Sequence, residues 1–198
     1  MKKSHKLVFF TGAGISVDSG IPTFQEQEGI RDKLTRSFCL DHYDEYIENI
    51  KSMKRTMDKA QPNAAHYAIA EMNCPVITMN IDGLHEKAGT KNVIAIHGRM
   101  PTWEEIENED LRYKTGIPVL YGDSAPLYSD AYDIMLDLDL HQSYVVIVGT
   151  SFYTGISEEL YQTAERYATR VWIINSNASV RVPEVCEEIK RLVKGDKS

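Results

Sequence analysis

The stretch Thr11 to Phe24, TGAGISVDSGIPTF, limits the possible folds of this chain more than any other. It follows the run Lys6-Leu7-Val8-Phe9-Phe10, whose apolar residues suit a buried strand. Gly12, Gly14 and Gly20, with the small Ser16 and Ser19 and with Pro22, make the joint between that strand and a helix start. A strand, a glycine turn and a helix N-terminus form a phosphate-binding arrangement, because outward N–H groups and the helix dipole favour an anion. Glycine also removes the Cβ that would hold backbone away from a pyrophosphate. The full dinucleotide fingerprint is not reached, since Val17 stands where a third glycine would fall. Taken alone, the stretch is equally an ordinary strand–turn–helix joint.

The same theme recurs downstream. Pro75-Val76-Ile77-Thr78 runs into the polar cluster Met79-Asn80-Ile81-Asp82-Gly83-Leu84-His85. Val93 to Ile96 delivers His97-Gly98, and Ile117 to Tyr121 reads as a strand closed by Gly122-Asp123. Tyr144 to Val148 is the cleanest buried strand and ends in Gly149-Thr150-Ser151, a second small-residue turn able to border a ligand cleft. Val171 to Ile174 ends in Asn175-Ser176-Asn177. Between these runs lie helical patterns. Leu40 to Lys59 is a charged helix with Leu40, Tyr43, Tyr46, Ile47, Ile50 and Met53 near one face, either packed by that stripe or closing over the glycine loop. Gln61-Pro62-Asn63 starts a second helix, in which His66 reads as structural. Glu86 to Gly89, Tyr128 to Leu140, Ser157 to Ala168 and Val182 to Val193 follow. Continuous apolar strands alternating with helices place the chain in the α/β class, with a Rossmann-like parallel sheet covered by helices on both faces. The 198 residues suit one domain, 1–198, with residues 25–60 and the charged stretch 99–116 as insertions that build a smaller lobe.

Composition removes several functions. A net charge of −7 argues against nucleic acid as the main partner. No apolar run approaches the roughly 20 residues of a membrane span, and the four apolar residues after MKKSHK are too few for a secretory segment, so a cytoplasmic protein without a membrane partner is expected. Cys39, Cys74 and Cys186 are far apart with no CxxC pair, which fits neither a disulfide framework nor a four-cysteine zinc site. No metal site is expected, and Cys74 and Cys186 read as core fillers. The oligomeric state is not encoded in any motif.

In a doubly wound sheet the strand tips share one edge. That edge would carry Gly12, Gly14 and Ser16, then Asn80 and Asp82, then His97, then Gly149, Thr150 and Ser151, and finally Asn175. An imidazole with a pKa of ~6.5 suits a general base at neutral pH. His97 therefore stands out from a merely structural histidine by the four polar tips beside it. Neither a G-x-S-x-G elbow nor a P-loop occurs.

GAGISVDSGIPTF resembles the NAD-binding signature of the sirtuin family, and TMNIDGLH at 78–85 resembles that family's TQNIDxLH. His97-Gly98, Gly149-Thr150-Ser151 and Asn175 fall in the family's order, as do QPNAAHYAIA, EKAGTKNVIAIHG and VLYGD, the last beside the family's VxFGE. The resemblance implies that Gly12, Ala13, Gly14 and Ser16 hold the NAD pyrophosphate, that Gly149, Thr150 and Ser151 add phosphate and ribose contacts, and that Asn175 binds the adenosine ribose. It implies Asn80, Asp82 and Ile81 around the nicotinamide, Phe24 shielding the reacting ribose, and His97 as the base for a ribose hydroxyl. The implied activity is NAD-dependent deacylation of protein lysine, with NAD consumed as a co-substrate. The acyl-lysine peptide would join as a strand between VLYGD and the 151–156 loop, with Val119, Tyr121, Gly122 and Phe152 in contact.

Several positions depart from the family. Its two Cys pairs after His-Gly are absent from Arg99 to Gly116, so a reduced, zinc-free small lobe is expected. Gln25 replaces an Arg, with Arg31 as a potential substitute, and Met79 replaces a Gln. The peptide loop SLxVxP reads SFYTGI. Hydrolysis of NAD or transfer of ADP-ribose, and a feebly active NAD-binding sensor, remain as alternatives.

Overall fold

The computed structural model describes residues 7–195, so Lys6 of the expected first strand lies outside the described residues. Strands β1 (Leu7–Thr11), β2 (Val76–Thr78), β3 (Val93–Ala95), β4 (Tyr144–Val148) and β5 (Arg170–Ile174) form one parallel sheet in the order β3-β2-β1-β4-β5. The chain steps from β1 outward through β2 and β3, then returns to the other side of β1 for β4 and β5. The order therefore reverses between β1 and β4, where open parallel sheets leave a ligand crevice at the strand ends.

The two-residue repeat of a strand sorts the core. Leu7 and Phe9 face one layer, with α3 (Ala64–Met72) and α8 (Ala178–Gly195), where Ala65, Ile69, Val182 and Ile189 close the space. Val8 and Phe10 face the other, with α6 (Tyr128–Leu136) and α7 (Gly155–Tyr167), where Met135, Leu160 and Ala164 do the same. Phe9 and Phe10 are wholly buried, each contributing about 1.5–3 kcal/mol of apolar transfer. A third cluster gathers Ile21, Leu34, Tyr46, Ile50, Ile106, Leu111 and Leu120. It joins α1 (Arg36–Asp41), α2 (Tyr43–Lys59) and α5 (Trp103–Asn108), so residues from about 21–60 and 100–120 share one small core. Cys39, Cys74 and Cys186 are free thiols. Burial pushes Cys74 and Cys186 up to about 12, so neither is a thiolate at neutral pH.

Five expectations need correction. Residues 117–121 add no strand to the sheet: Pro118 has no N–H for a ladder, and Tyr121 alone makes a bridge, to Thr35. The helix expected from Leu40 is two helices that break at His42, with Leu40 exposed. The helix expected to reach Leu140 stops at Leu136. Asp139 competes for the backbone there, since its side chain accepts from the N–H of His141 and its own N–H donates to Ser143 Oγ. The last helix starts at Ala178 rather than 182, because the Asn177 carbonyl accepts from the N–H groups of Val180 and Arg181. The segment after Gly12 is a 3-10 helix, Ala13–Ser19, closed by Gly20 at φ 84°.

Candidate active site

The polar strand tips do share one edge. Tight turns at the ends of β1 and β4 meet there. Gly12 N–H donates to Val148 O at 2.9 Å, and Gly14 N–H donates to Gly149 O at 2.9 Å. A Cβ on Gly12 would lie 2.7 Å from Gly149 O, one on Gly14 would lie 2.6 Å from Gly149 Cα, and one on Gly149 would lie 2.4 Å from Ile15 N. These glycines are required first by the contact of two backbones, a reason additional to the approach of a phosphate.

Asn63 ties this joint to α3. Its Oδ1 accepts from Ala65 N–H at the start of the helix, while its Nδ2 donates to Ile15 O at 2.8 Å and Ser19 Oγ at 3.0 Å. His66 has the expected structural role: its Nδ1 accepts from Asn63 N–H in a capping box. Below the β1 and β2 tips runs a buried polar chain. Thr11 Oγ1 donates to Thr78 Oγ1 at 2.8 Å and so accepts from His85 Nε2 at 2.9 Å, while Thr78 Oγ1 also accepts from Asn80 N–H.

Above that chain, Ser16 Oγ donates to Asp82 Oδ2 at 2.7 Å and accepts from Asn80 Nδ2 at 3.2 Å. Asn80 Nδ2 also donates to Gly12 O at 3.2 Å, and Asp82 Oδ1 accepts from Leu84 N–H, where α4 (Leu84–Lys87) begins. Asn80 and Asp82 are thus locked to the glycine turn. His97 is half-buried, and its ring makes no hydrogen bond to another described residue. Burial holds it below the usual histidine value, so it is neutral at pH 7 with a lone pair free.

Burial also lowers His66, and it lowers His85 to about 3, with His66 beside it as the lesser cause. Unfolded chains protonate these rings from pH ~6.5 downward while the folded rings stay neutral. Their contribution is therefore complete above pH 6.5 and is lost as the pH falls below it, for His85 down to about 3. Stability should drop by about 1.4 kcal/mol per pH unit for each ring still neutral. Denaturant melts at pH 7, 6 and 5 at constant ionic strength check this; a midpoint that does not move over that range contradicts it.

One cavity of about 830 Å³ takes in all these tips. Gly12, Ala13, Gly14, Ser16, Phe24, Asn80, Ile81, Asp82, His97, Gly149, Thr150, Ser151 and Asn175 line it, as do Val119, Tyr121 and Gly122. Phe152 does not. It sits at φ 52° with its ring on Tyr161, centroids 4.8 Å apart, and the exposed Tyr153 lines the cavity instead. Arg31 lines it too, with its guanidinium carbon 3.9 Å from the Tyr153 ring centroid, and so do Gln25 and Met79. Of the α2 residues that line the cavity, Ser52, Met53, Thr56 and Met57, only Met53 was singled out in the sequence, on the apolar face, although this helix was one that could close over the glycine loop. The signal was there: small hydroxyl residues at i and i+4 beside two methionines, in a helix otherwise rich in Glu and Lys. Among the described residues no group of three or more His, Cys, Asp or Glu side chains could hold a metal ion, and no helix is long and apolar enough to cross a membrane.

Residues 12–116 match the model of the Sir2 family. The chain belongs to the Sir2 family. An NAD-dependent protein deacylase of Archaeoglobus fulgidus is 31% identical over 251 aligned positions, covering 97% of this chain and 94% of that protein. An NAD-dependent protein deacetylase of Listeria monocytogenes is 34% identical over 178 positions, covering 77% of each. A structure solved for the mechanism and regulation of Sir2 enzymes has 28% identity and a TM-score of 0.77, covering 94% of this chain and 93% of that one. A Sir2 protein bound to a propionylated peptide has 25% identity and a TM-score of 0.73. The matched segment, residues 12–116, includes both Gly12 and His97, and the fold brings Gly149–Ser151 and Asn175 beside it from outside the match.

Proposed function

We propose that this Sir2-family protein is an NAD-dependent protein-lysine deacylase. The observation that carries the reading is the position of His97. Its neutral, unpartnered ring opens into the same cavity as the Gly12–Ser16 turn and the locked pair Asn80 and Asp82. The turn suits a dinucleotide: Ala13 begins a 3-10 helix at the topological switch point, and Thr150, Ser151 and Asn175 supply polar contacts on the β4 and β5 side. NAD would supply a nicotinamide–ribose bond whose cleavage leaves an electrophilic anomeric carbon for the acyl-lysine oxygen.

The chain's own residues then have distinct tasks. Gly12 to Ser16, with Gly149 to Ser151, hold the phosphates. Asn80, Asp82 and Ile81 face the nicotinamide, with Ser16 fixing both polar side chains. Phe24 excludes water from the reacting ribose. His97 takes a proton from a ribose hydroxyl, which the low-lying imidazole can do at pH 7. The peptide lies between the Val119–Gly122 wall and the loop that begins at Ser151.

Nicotinamide release from NAD, measured with and without an acetyl-lysine peptide, tests this reading. Release that needs the peptide is expected. Equal release without it contradicts deacylation and assigns the cavity to NAD hydrolysis, and silence in both leaves an NAD-binding sensor.

A further inference from the structure

The cavity wall formed by Val119, Leu120, Tyr121 and Gly122 belongs to a segment with little regular secondary structure. Between Glu109 and Asp123 there is one short 3-10 turn, and only Leu111, Pro118 and Leu120 are buried. Yet three parts of the segment converge on a single side chain, that of Arg36 at the start of α1.

Arg36 Nε donates to Asp123 Oδ1 at 2.8 Å and Nη2 donates to Asp123 Oδ2 at 2.6 Å, a bidentate fork. Nη1 donates to the carbonyl of Arg112 at 2.8 Å and Nη2 to that of Lys114 at 2.9 Å. The remaining N–H points at Cys39 Sγ at 3.9 Å. All five donors of the guanidinium are thereby engaged. Asp123 Oδ2 also accepts from Leu120 N–H at 3.0 Å. The main chain adds to the joint, with Arg36 N–H to Tyr121 O and Tyr121 N–H to Leu34 O, each at 2.9 Å.

The Asp123 side chain is 7% exposed and that of Arg36 is 19% exposed. A pair this sheltered adds little net stability, because desolvation offsets the attraction. What it does supply is geometry. A planar fork can join a carboxylate to two carbonyls of a distant segment, and a lysine ammonium on a flexible stem cannot reproduce that.

We propose that Arg36 is a positioning residue for acyl-lysine recognition, fixing the 119–123 wall against which the substrate strand lies. The assignment rests on the deacylase reading. Its test is steady-state kinetics on the intact protein and on Arg36→Lys, Arg36→Met and Asp123→Asn, varying an acetyl-lysine peptide and NAD separately. Both Arg36 variants should raise the peptide KM by about tenfold, since a wall misplaced by a fraction of an ångström spoils alignment. The NAD KM should stay within about twofold, because no hydrogen bond of Arg36 or Asp123 reaches the Gly12–Ser16 turn. Arg36→Lys should fail to rescue, and Asp123→Asn should lie between the unaltered protein and Arg36→Met.

Absence of peptide-dependent turnover in the unaltered protein overturns the deacylase reading and this assignment with it. Turnover with a normal peptide KM in all three variants, or with both KM values raised together, overturns the assignment alone. Should the variants not fold, amide exchange in the unaltered protein decides. Leu120 and Tyr121 should exchange as slowly as Ile147 in β4, and exchange as fast as that of the exposed Thr115 overturns the clamp.

Discussion

His97→Ala should lower peptide-dependent acyl transfer by at least ~10²-fold, the scale of general-base loss. The expectation follows from what the ring does and does not do in the fold. No described side chain is hydrogen bonded to it, so its removal breaks no structural bond. The contribution of residue 97 to the architecture is its carbonyl, which accepts from Val119 N–H at 2.9 Å, and alanine keeps that. Burial lowers the ring's pKa, so the neutral form prevails at pH 7 and the base needs no partner to free its lone pair. A thermal melt within a few degrees of the unaltered protein's should accompany the loss. Unchanged turnover would remove His97 from the chemistry, whatever the rest of the cavity does.

Gly149→Ala should cost at least about 3 kcal/mol, a fall of about 10 °C in Tm for a chain of this size. Two penalties act together. Gly149 sits at φ 64°, where a Cβ is strained, and that Cβ would lie 2.4 Å from Ile15 N and 2.5 Å from Gly14 C. Both are backbone atoms of the opposing turn, so relief requires parting β1's tip from β4's, which also opens the proposed dinucleotide cradle. Gly20→Ala separates the terms. Its φ is 84°, but nothing lies within 4 Å of the added Cβ, so only the conformational cost of about 1 kcal/mol should appear. Equal losses in the two variants would mean that the contact between the turns carries no weight.

The sheet was legible where apolar runs are continuous and end in small polar residues. β1 and β4 are buried on both faces and read that way in Leu7–Phe10 and Tyr144–Val148. The gathering of the polar strand tips on one edge was legible for the same reason, because a parallel sheet aligns the ends of its strands. Residues 117–121 misread because an apolar composition says nothing about pairing, and Pro118 withholds a donor. Phe152, placed at the peptide by the resemblance, lies outside the cavity because at a positive φ its ring packs on Tyr161, and Tyr153 lines the cavity in its stead. Arg36 carried no sequence signal. Its oxygen partners lie 76 to 87 residues away and two of them are main-chain carbonyls, so only the folded chain brings them together. Gly12 and Gly14 were found for one physical reason and are required for a second, the contact of β1's turn with β4's.

The central claim is that one cavity couples cleavage of NAD to removal of an acyl group from lysine. Mass spectrometry of the products from an acetyl-lysine peptide and NAD tests it most directly. Deacetylated peptide, nicotinamide and O-acetyl-ADP-ribose should appear in equal amounts. Nicotinamide and plain ADP-ribose accumulating while the peptide stays acetylated would contradict it.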